Sequence, residues 1–378
     1  MRLTHLKIAN FKTYAEAEAA FSPGINCIVG SNGVGKTNLL DALYYLSFCK
    51  SCFNPFDAQN ILRGETFFAL HGQYEEGDDR PTVSCVYKQG GLKQVAYNKK
   101  NCAAFAEHIG RIPLVMVSPA DHVLIQGGSE VRRKFVDGVI AQTDHAYLHQ
   151  LLQYQKALEQ RNALLKRFYD DRYFDDDAIA IWDEQLARLG QPVHAARRVF
   201  VGELQPLFQR YFSEIAQLPD EQPAMQYVSQ LNDGNMGDLL LEARRRDAMM
   251  QHTTVGVHKD DLDLTIEGFP AKKFGSQGQQ KTFLLALKLA QYEYIKSHCG
   301  RNPILLLDDI FDKLDMLRVR QLIELVGSPS RFGQVFLTDT QAGRVEELFR
   351  ASRGIEHKIF HVERGNLWEK TNDETQRA

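Results

Sequence analysis

The stretch "GSNGVGKT", Gly30 to Thr37, constrains this chain more than any other segment. It has the form G-x-x-x-x-G-K-T, follows the β-rich run "INCIV" and opens the helical pattern "KTNLLDALYYLSF". A loop of that spacing belongs between a buried strand and a helix. Its glycines let backbone N–H groups curl around phosphate oxygens, and the helix N-terminus adds its dipole. Lys36 is expected to bridge the β- and γ-phosphates of ATP, and the Thr37 hydroxyl to ligate Mg2+. Gly30, Ser31, Asn32, Gly33, Val34, Gly35 and Asn38 complete the expected cradle.

The remainder of the chain is consistent with an α/β protein around such a loop. At 378 residues, two lobes are expected rather than one core. A net charge of −3 excludes a globally basic protein, so nucleic-acid binding would need a local patch. No apolar run has the length that spans a membrane, and "MRLTHLKIANFKTY" has no leader-like apolar core. Six scattered cysteines are no disulfide framework, which points to a reducing cytoplasm. "CKSC", Cys49 to Cys52, has the spacing of a metal or redox half-site, but no second pair matches it; two reduced thiols after a helix is the plainer reading.

Strands are expected in the first fourteen residues, in "FSPGINCIVG", between Phe67 and Tyr97, and in "IPLVMVSP". From about Gly127 to Gln251 the pattern is helical and charged, with separate helical stretches in "AIWDEQLARLGQ" and "HAARRVFVGELQPLFQRYF" and no sustained heptads. "NPILLLDD" and "GQVFLTDT" then read as buried parallel-type strands, each followed by a helix. The final "WEKTNDETQRA" reads as a frayed tail. The expected division is an ATPase lobe of residues 1–126 and 298–378, with residues 127–297 as a mainly helical second lobe.

A buried strand that ends in acids, "ILLLDD", is how a P-loop fold delivers a carboxylate to Mg2+. Asp308 is expected to hold the metal through water, and Asp309 to act as general base on the attacking water. The polar stretch "KKFGSQGQQKT" before the strong helix "FLLALKLAQYEYI" completes an order seen in ABC-type ATPases. "SQGQQ" stands where that class has a signature that caps the γ-phosphate of ATP on another subunit. Ser276, Gln277, Gly278 and Gln279 are the candidate contacts, through the serine hydroxyl, the Gly278 N–H and the helix dipole. The segment is therefore expected to be unsatisfied within its own subunit, with Ser276 facing outward and far from Lys36. "DKLD", Asp312 to Asp315, follows as a D-loop would, and "NFKTY" resembles the N-terminal motif of SMC-type heads, where Lys12 would lie near the triphosphate.

"NFKTY", "GSNGVGKTNLLDALYYLSFCKS", "SPADHVLIQGGSEVRRKFVD", "YQKALEQRNALLK", "VHKDDLDL", "FGSQGQQKTFLLALKLA" and "PILLLDDIFDKLD" occur together in an order that resembles the RecF family. The resemblance covers essentially the whole chain. It implies an ABC-type P-loop ATPase head with a helical lobe that carries the signature. It also implies an ATP-dependent homodimer that binds double-stranded DNA at gaps or junctions. Such a protein would work with RecR and RecO to help RecA, in repair, fork recovery and the SOS response, without a membrane. Some residues depart from the family. Cys52 and Phe53 replace a His-Arg pair, Val257 replaces proline, Lys259 replaces arginine, and Thr338 stands where transporter ATPases carry a switch histidine. The Q-loop is degenerate, with Asp121 as its candidate.

Four basic groups are candidates for DNA contact: Arg132 to Lys134; Arg161 with Lys166 and Arg167; Arg197 and Arg198; and Arg244 to Arg246. Each also reads as the solvated face of a helix. A transporter ATPase subunit and a stand-alone P-loop NTPase remain as alternatives. Thr338 and the helical insertion argue against the first, and "SQGQQ" against the second. Asp309 is one methylene shorter than the glutamate of fast ABC ATPases, so weak, DNA-stimulated hydrolysis is expected.

Overall fold

A computed structural model describes residues 1–216, 222–311, 316–351 and 355–370. The D-loop candidate, Asp312 to Asp315, lies outside them. The chain forms two compact units, Met1–Asp121 with Gln291–Ala378, and His122–Ala290. The first begins with β1 (Arg2–Phe11), β2 (Tyr14–Ala20), β3 (Ile25–Val29), α1 (Lys36–Phe48), β4 (Phe67–Glu75), β5 (Thr82–Lys88), β6 (Lys93–Tyr97), β7 (Lys100–Asn101) and β8 (Leu114–Val117). Next come α2 (Val123–Gln126), α3 (Ser129–Thr143), α4 (His145–Asp171), α5 (Asp176–Ala216), β9 (Pro223–Val228), α6 (Met236–Met250), β10 (Asp261–Ile266), β11 (Phe269–Pro270), α7 (Ala271–Phe274) and α8 (Gln277–Cys299). The chain closes with β12 (Ile304–Leu307), α9 (Met316–Val326), β13 (Val335–Asp339), α10 (Ala342–Ala351), β14 (His357–Glu363) and β15 (Asn366–Glu369).

The first unit contains two sheets. One is antiparallel throughout, in the order β2-β1-β4-β5-β6-β7. The other runs β15-β14-β3-β13-β12-β8, parallel except for the edge strand β15. Every residue of β3, β8, β12 and β13 is buried, as expected of parallel strands covered on both faces. Helix α1 touches β1, β4 and β5 of the first sheet and β8 and β13 of the second. One core joins its Leu39, Leu40, Leu43 and Leu46 to Leu6, Ile8 and Phe68 on one side and Ile28, Leu306 and Phe336 on the other. That explains a helix apolar around most of its circumference. Each leucine so buried contributes about 1.5–3 kcal/mol, which makes α1 a rigid mount for the loop before it.

In the second unit α4 and α5 form a helical hairpin of 27 and 41 residues, and β9, β10 and β11 form a small antiparallel sheet. Two expectations about helices and tail need correction. The two separate stretches are one continuous α5, which runs through Pro192 and Pro206. Its buried stripe (Leu189, Val193, Arg197, Phe200, Leu204, Phe208) packs along its length, and this packing outweighs the hydrogen bonds that the prolines remove. The tail is not frayed at its start, since Trp368 and Glu369 pair with His361 and Phe360 in β14. Strands β2, β9 and β14 escaped the sequence reading altogether.

Candidate nucleotide-binding site

The loop Gly30–Gly35 connects the C-terminal end of β3 to α1. Gly33 and Gly35 have φ of 79° and 118°, in the half of the map that side chains avoid. At Gly35 a Cβ would stand 2.7 Å from Thr13 Oγ1, because the turn between β1 and β2 presses on the loop. The same turn braces it by hydrogen bonds. Tyr14 Oη donates to the Gly35 carbonyl at 2.9 Å, and Asn38 Nδ2 donates to Thr13 Oγ1 at 3.0 Å. Lys36 folds back over the loop and donates to the Gly30 and Ser31 carbonyls at 2.7 and 2.8 Å. Ser31, Asn32 and Gly33 are exposed at the loop's crest, and Val34 is half-buried.

Opposite Thr37 stands the end of β12. The Thr37 hydroxyl lies 3.0 Å from both carboxylate oxygens of Asp308, and the Thr338 hydroxyl donates to Oδ1 at 2.9 Å. Burial holds the Asp308 carboxyl above its usual pKa, opposed by hydrogen bonds from Thr338 and Thr37 and by the charge on Lys36. Asp309 is left-handed, with φ 49°, and its N–H donates to Thr338 Oγ1 at 2.9 Å. Mg2+ takes hard oxygen ligands and is usually bound by one or two carboxylates plus substrate phosphates. The Thr37 hydroxyl and Asp308 carboxylate fit that donor set, and no group of three His, Cys, Asp or Glu gathers among the described residues.

Two flanking candidates are committed elsewhere. Lys12, left-handed at φ 53°, is paired at 2.6 Å with the buried Asp41 of α1 and sits over the Phe53 ring. Asp41 also accepts from the Ser51 hydroxyl and the Cys52 N–H, so the departing Ser51–Phe53 segment is tied to α1 through it. Asp121 accepts from the Ser118 N–H at 2.7 Å and closes a tight turn after β8. The cysteines of "CKSC" are free thiols: Cys49 is buried, and that burial pushes its pKa up to about 12, while Cys52 is exposed. Sequence reasoning missed Tyr14 and Thr13 as braces and Thr338 as the partner of both acids. The "NFKTY" motif pointed to the first two only indirectly.

In the second unit, Ser276 is exposed at the start of α8. Its hydroxyl accepts from the Gln279 N–H at 3.2 Å, while its own N–H donates to Gln279 Oε1 at 2.7 Å. This is a capping box, S-x-x-Q. Gln280 donates to the Ala271 and Gly275 carbonyls and accepts from Gln126. The expectation that the segment is unsatisfied within its own subunit is thus corrected, because its polarity serves the helix start. Gln277 and Gly278 occupy the first turn, whose N–H groups have no partner inside a helix.

The basic groups separate under the structure. Arg161 is wholly buried, donating to Asp183 and Asp247 at 2.7 Å each and to Thr253 at 2.9 Å. Arg197 is buried between Asp137 and Asp260, Arg132 is bidentate to Asp261, Arg133 donates to the Asp260 carbonyl, and Arg244 binds Asp183 and Asp176. These five hold the second unit together and are withdrawn as DNA candidates. Exposed residues of the same groups are Lys134, Lys166, Arg167, Arg198, Arg245 and Arg246.

The pattern that defines the RecF/RecN/SMC N terminal domain matches residues 2–359. A Phocaeicola vulgatus protein named DNA replication and repair protein RecF is 47% identical over 372 residues, 98% of this chain and 99% of that one. The chain belongs to the RecF family. A Flavobacterium johnsoniae RecF of the same name is 46% identical, over 96% of this chain and all of its own length. Among solved structures, that of the recombination mediator protein RecF-ATP in the RecFOR pathway superposes with a TM-score of 0.87 at 27% identity, covering 98% of each chain. The Pyrococcus furiosus Smc head domain, at TM-score 0.58 and 15% identity over 100% of this chain and 98% of its own, shares the fold. The fold is thus that of RecF and SMC ABC-type ATPase heads, as expected from the motifs.

Proposed function

We propose that this RecF-family chain is an ATP-dependent DNA-binding protein of recombinational repair and replication-fork recovery. The observation that carries the reading is the meeting of Thr37 and Asp308 at 3.0 Å beside a Lys36 already folded over its glycine loop. Relatives named for DNA replication and repair, and a RecF-ATP structure of the same fold, support it over a transporter subunit or a stand-alone NTPase.

In this reading the backbone N–H groups of Gly33 to Thr37 cradle the phosphates, and Lys36 exchanges its two carbonyl partners for phosphate oxygens. Thr37 and, through water, Asp308 would hold Mg2+, which when bound would neutralise charge on the phosphates. Asp309 accepts a proton from the attacking water. Its short side chain makes that step slow, since a misplacement of about 1 Å can lower a rate about 10²-fold. Ser276 to Gln279 of a second copy complete the site, so ATP holds a homodimer that embraces double-stranded DNA at gaps or junctions until hydrolysis releases it. RecR, with RecO and RecA beyond it, is the expected partner. The DNA-facing cations are sought among Lys134, Lys166, Arg198 and Arg245, each exposed.

Light scattering of the purified chain with and without ATP–Mg2+, followed by added duplex DNA, tests this. A dimer that forms with ATP and then binds DNA in a salt-sensitive manner is expected. A monomer that ignores both ligands refutes it, and fast turnover without DNA refutes the slow-release step.

A further inference from the structure

Beside the two acids stands a residue with no assigned role, Thr338, whose one hydroxyl touches both. Strands β12 and β13 pair in parallel with Leu307 opposite Leu337, so β13 continues past the end of β12 and brings Thr338 alongside Asp308. The side chain is fully buried. Its hydroxyl donates to Asp308 Oδ1 at 2.9 Å and accepts from the Asp309 N–H at 2.9 Å. The single proton of this hydroxyl and one of its two lone pairs are therefore engaged by consecutive acids.

The two bonds do different work. The first leaves Asp308 one oxygen that only Thr37 shares among these hydroxyls, and it fixes the carboxylate's rotation. The second holds the peptide at the point where the chain turns left-handed, φ 49° at Asp309. A non-glycine residue is disfavoured in that region and persists there only where its surroundings hold it. The turn ends the strand and sets the direction in which the Asp309 side chain leaves the backbone.

We infer that Thr338 is the positioning residue of the nucleotide site, setting the metal-facing carboxylate of Asp308 and the backbone turn that aims Asp309 through one hydroxyl. The inference rests on the roles proposed above for those acids. Serine retains the hydroxyl; valine retains the shape and β-branching of threonine but neither hydrogen bond. Removing groups that orient metal ligands typically lowers metal affinity or activity about 10–100-fold.

The test uses the full-length chain as Thr338→Val, Thr338→Ser and Asp308→Asn. Mn2+ binding in the presence of ATP is read by electron paramagnetic resonance. ATP affinity without metal is read by a fluorescent analogue in EDTA, and hydrolysis by single-turnover rate. Thr338→Val is expected to lose about tenfold or more in Mn2+ affinity and in rate while its metal-free ATP affinity holds, with Thr338→Ser close to the parent. If the valine variant does not fold, Thr338→Ala, with room for a water, is read in its place. A valine or alanine variant with parental Mn2+ affinity and rate overturns the inference, and so does a serine variant as impaired as valine. Asp308→Asn separates the two layers. If it loses Mn2+ affinity while Thr338→Val does not, this inference alone fails; if it keeps Mn2+ affinity, the reading of the whole site fails with it.

Discussion

Replacing Arg161 with methionine is the sharpest test of the second unit's ionic core. The guanidinium is fully buried and makes three hydrogen bonds, to Asp183, Asp247 and Thr253. Asp183 would keep a cation, because Arg244 Nε also donates to it at 2.8 Å. Asp247 would not. It is fully buried, and among the described residues Arg161 is the cation paired with it, leaving the Thr254 N–H and hydroxyl as donors. Removing one member of a buried pair costs about 3–5 kcal/mol, mostly for the charge left behind. The two surviving Thr254 bonds and the surviving Arg244 pair put the expected loss near the lower end, about 3–4 kcal/mol. In urea unfolding, followed by a probe in the second unit, that should move the midpoint down by about 1 M or more. Adding Asp247→Asn to Arg161→Met should recover more than about 1 kcal/mol, since the stranded charge is gone. Because the guanidinium never reaches solvent, DNA affinity at equal folded fraction should be unchanged. A midpoint within error of the parent, or a double variant weaker than the single, would refute this account of the core.

Lys36→Met should abolish ATP binding, whereas Ser276→Arg should preserve it and block ATP-dependent dimerisation; equilibrium binding and light scattering read the two outcomes. Gly35→Ala should weaken ATP binding at least about tenfold, because the new Cβ meets Thr13 Oγ1 at 2.7 Å in a backbone of φ 118°, and a binding titration at parental affinity would contradict it. His258, between Tyr154 and the Thr253 carbonyl, has its pKa lowered by burial to about 4. The unfolded chain binds the extra proton first, so between pH 6.5 and about 4 stability should fall as pH falls, by up to about 3 kcal/mol. His258→Gln should flatten that part of the pH–stability curve.

What the sequence revealed depended on how local the cause was. The P-loop and the two acids were legible because spacing, glycine and strand context all act within a few residues. The buried arginines were misread because residue type was weighed above period. Tyr154, Ala157, Arg161, Leu165 and Phe168 form one stripe of α4, and that spacing alone puts Arg161 in the core. The carboxylates that neutralise it come from α5 and α6, 22 and 86 positions away, and no local pattern announces them. Strand β2, "YAEAEAA", is built from good helix formers. It is a strand because Ala17 and Ala19 bury one face beside β1, with Glu18 opposite Lys7 on the other. The expectation that the signature is unsatisfied within its own subunit failed for a different reason, since the same S-x-x-Q is also a complete helix start.

In the proposed dimer, that helix start bears on how quickly two copies can join. A serine hydroxyl that accepts from Gln279 still has a proton to give and a second lone pair, so an arriving phosphate oxygen can be added without dismantling the turn. The α8 terminus is thus already shaped by its own hydrogen bonds before any encounter. Association at this surface should then proceed at the pace of a rigid docking step, about 10⁵–10⁷ M⁻¹s⁻¹, rising with protein concentration and free of a lag for loop ordering.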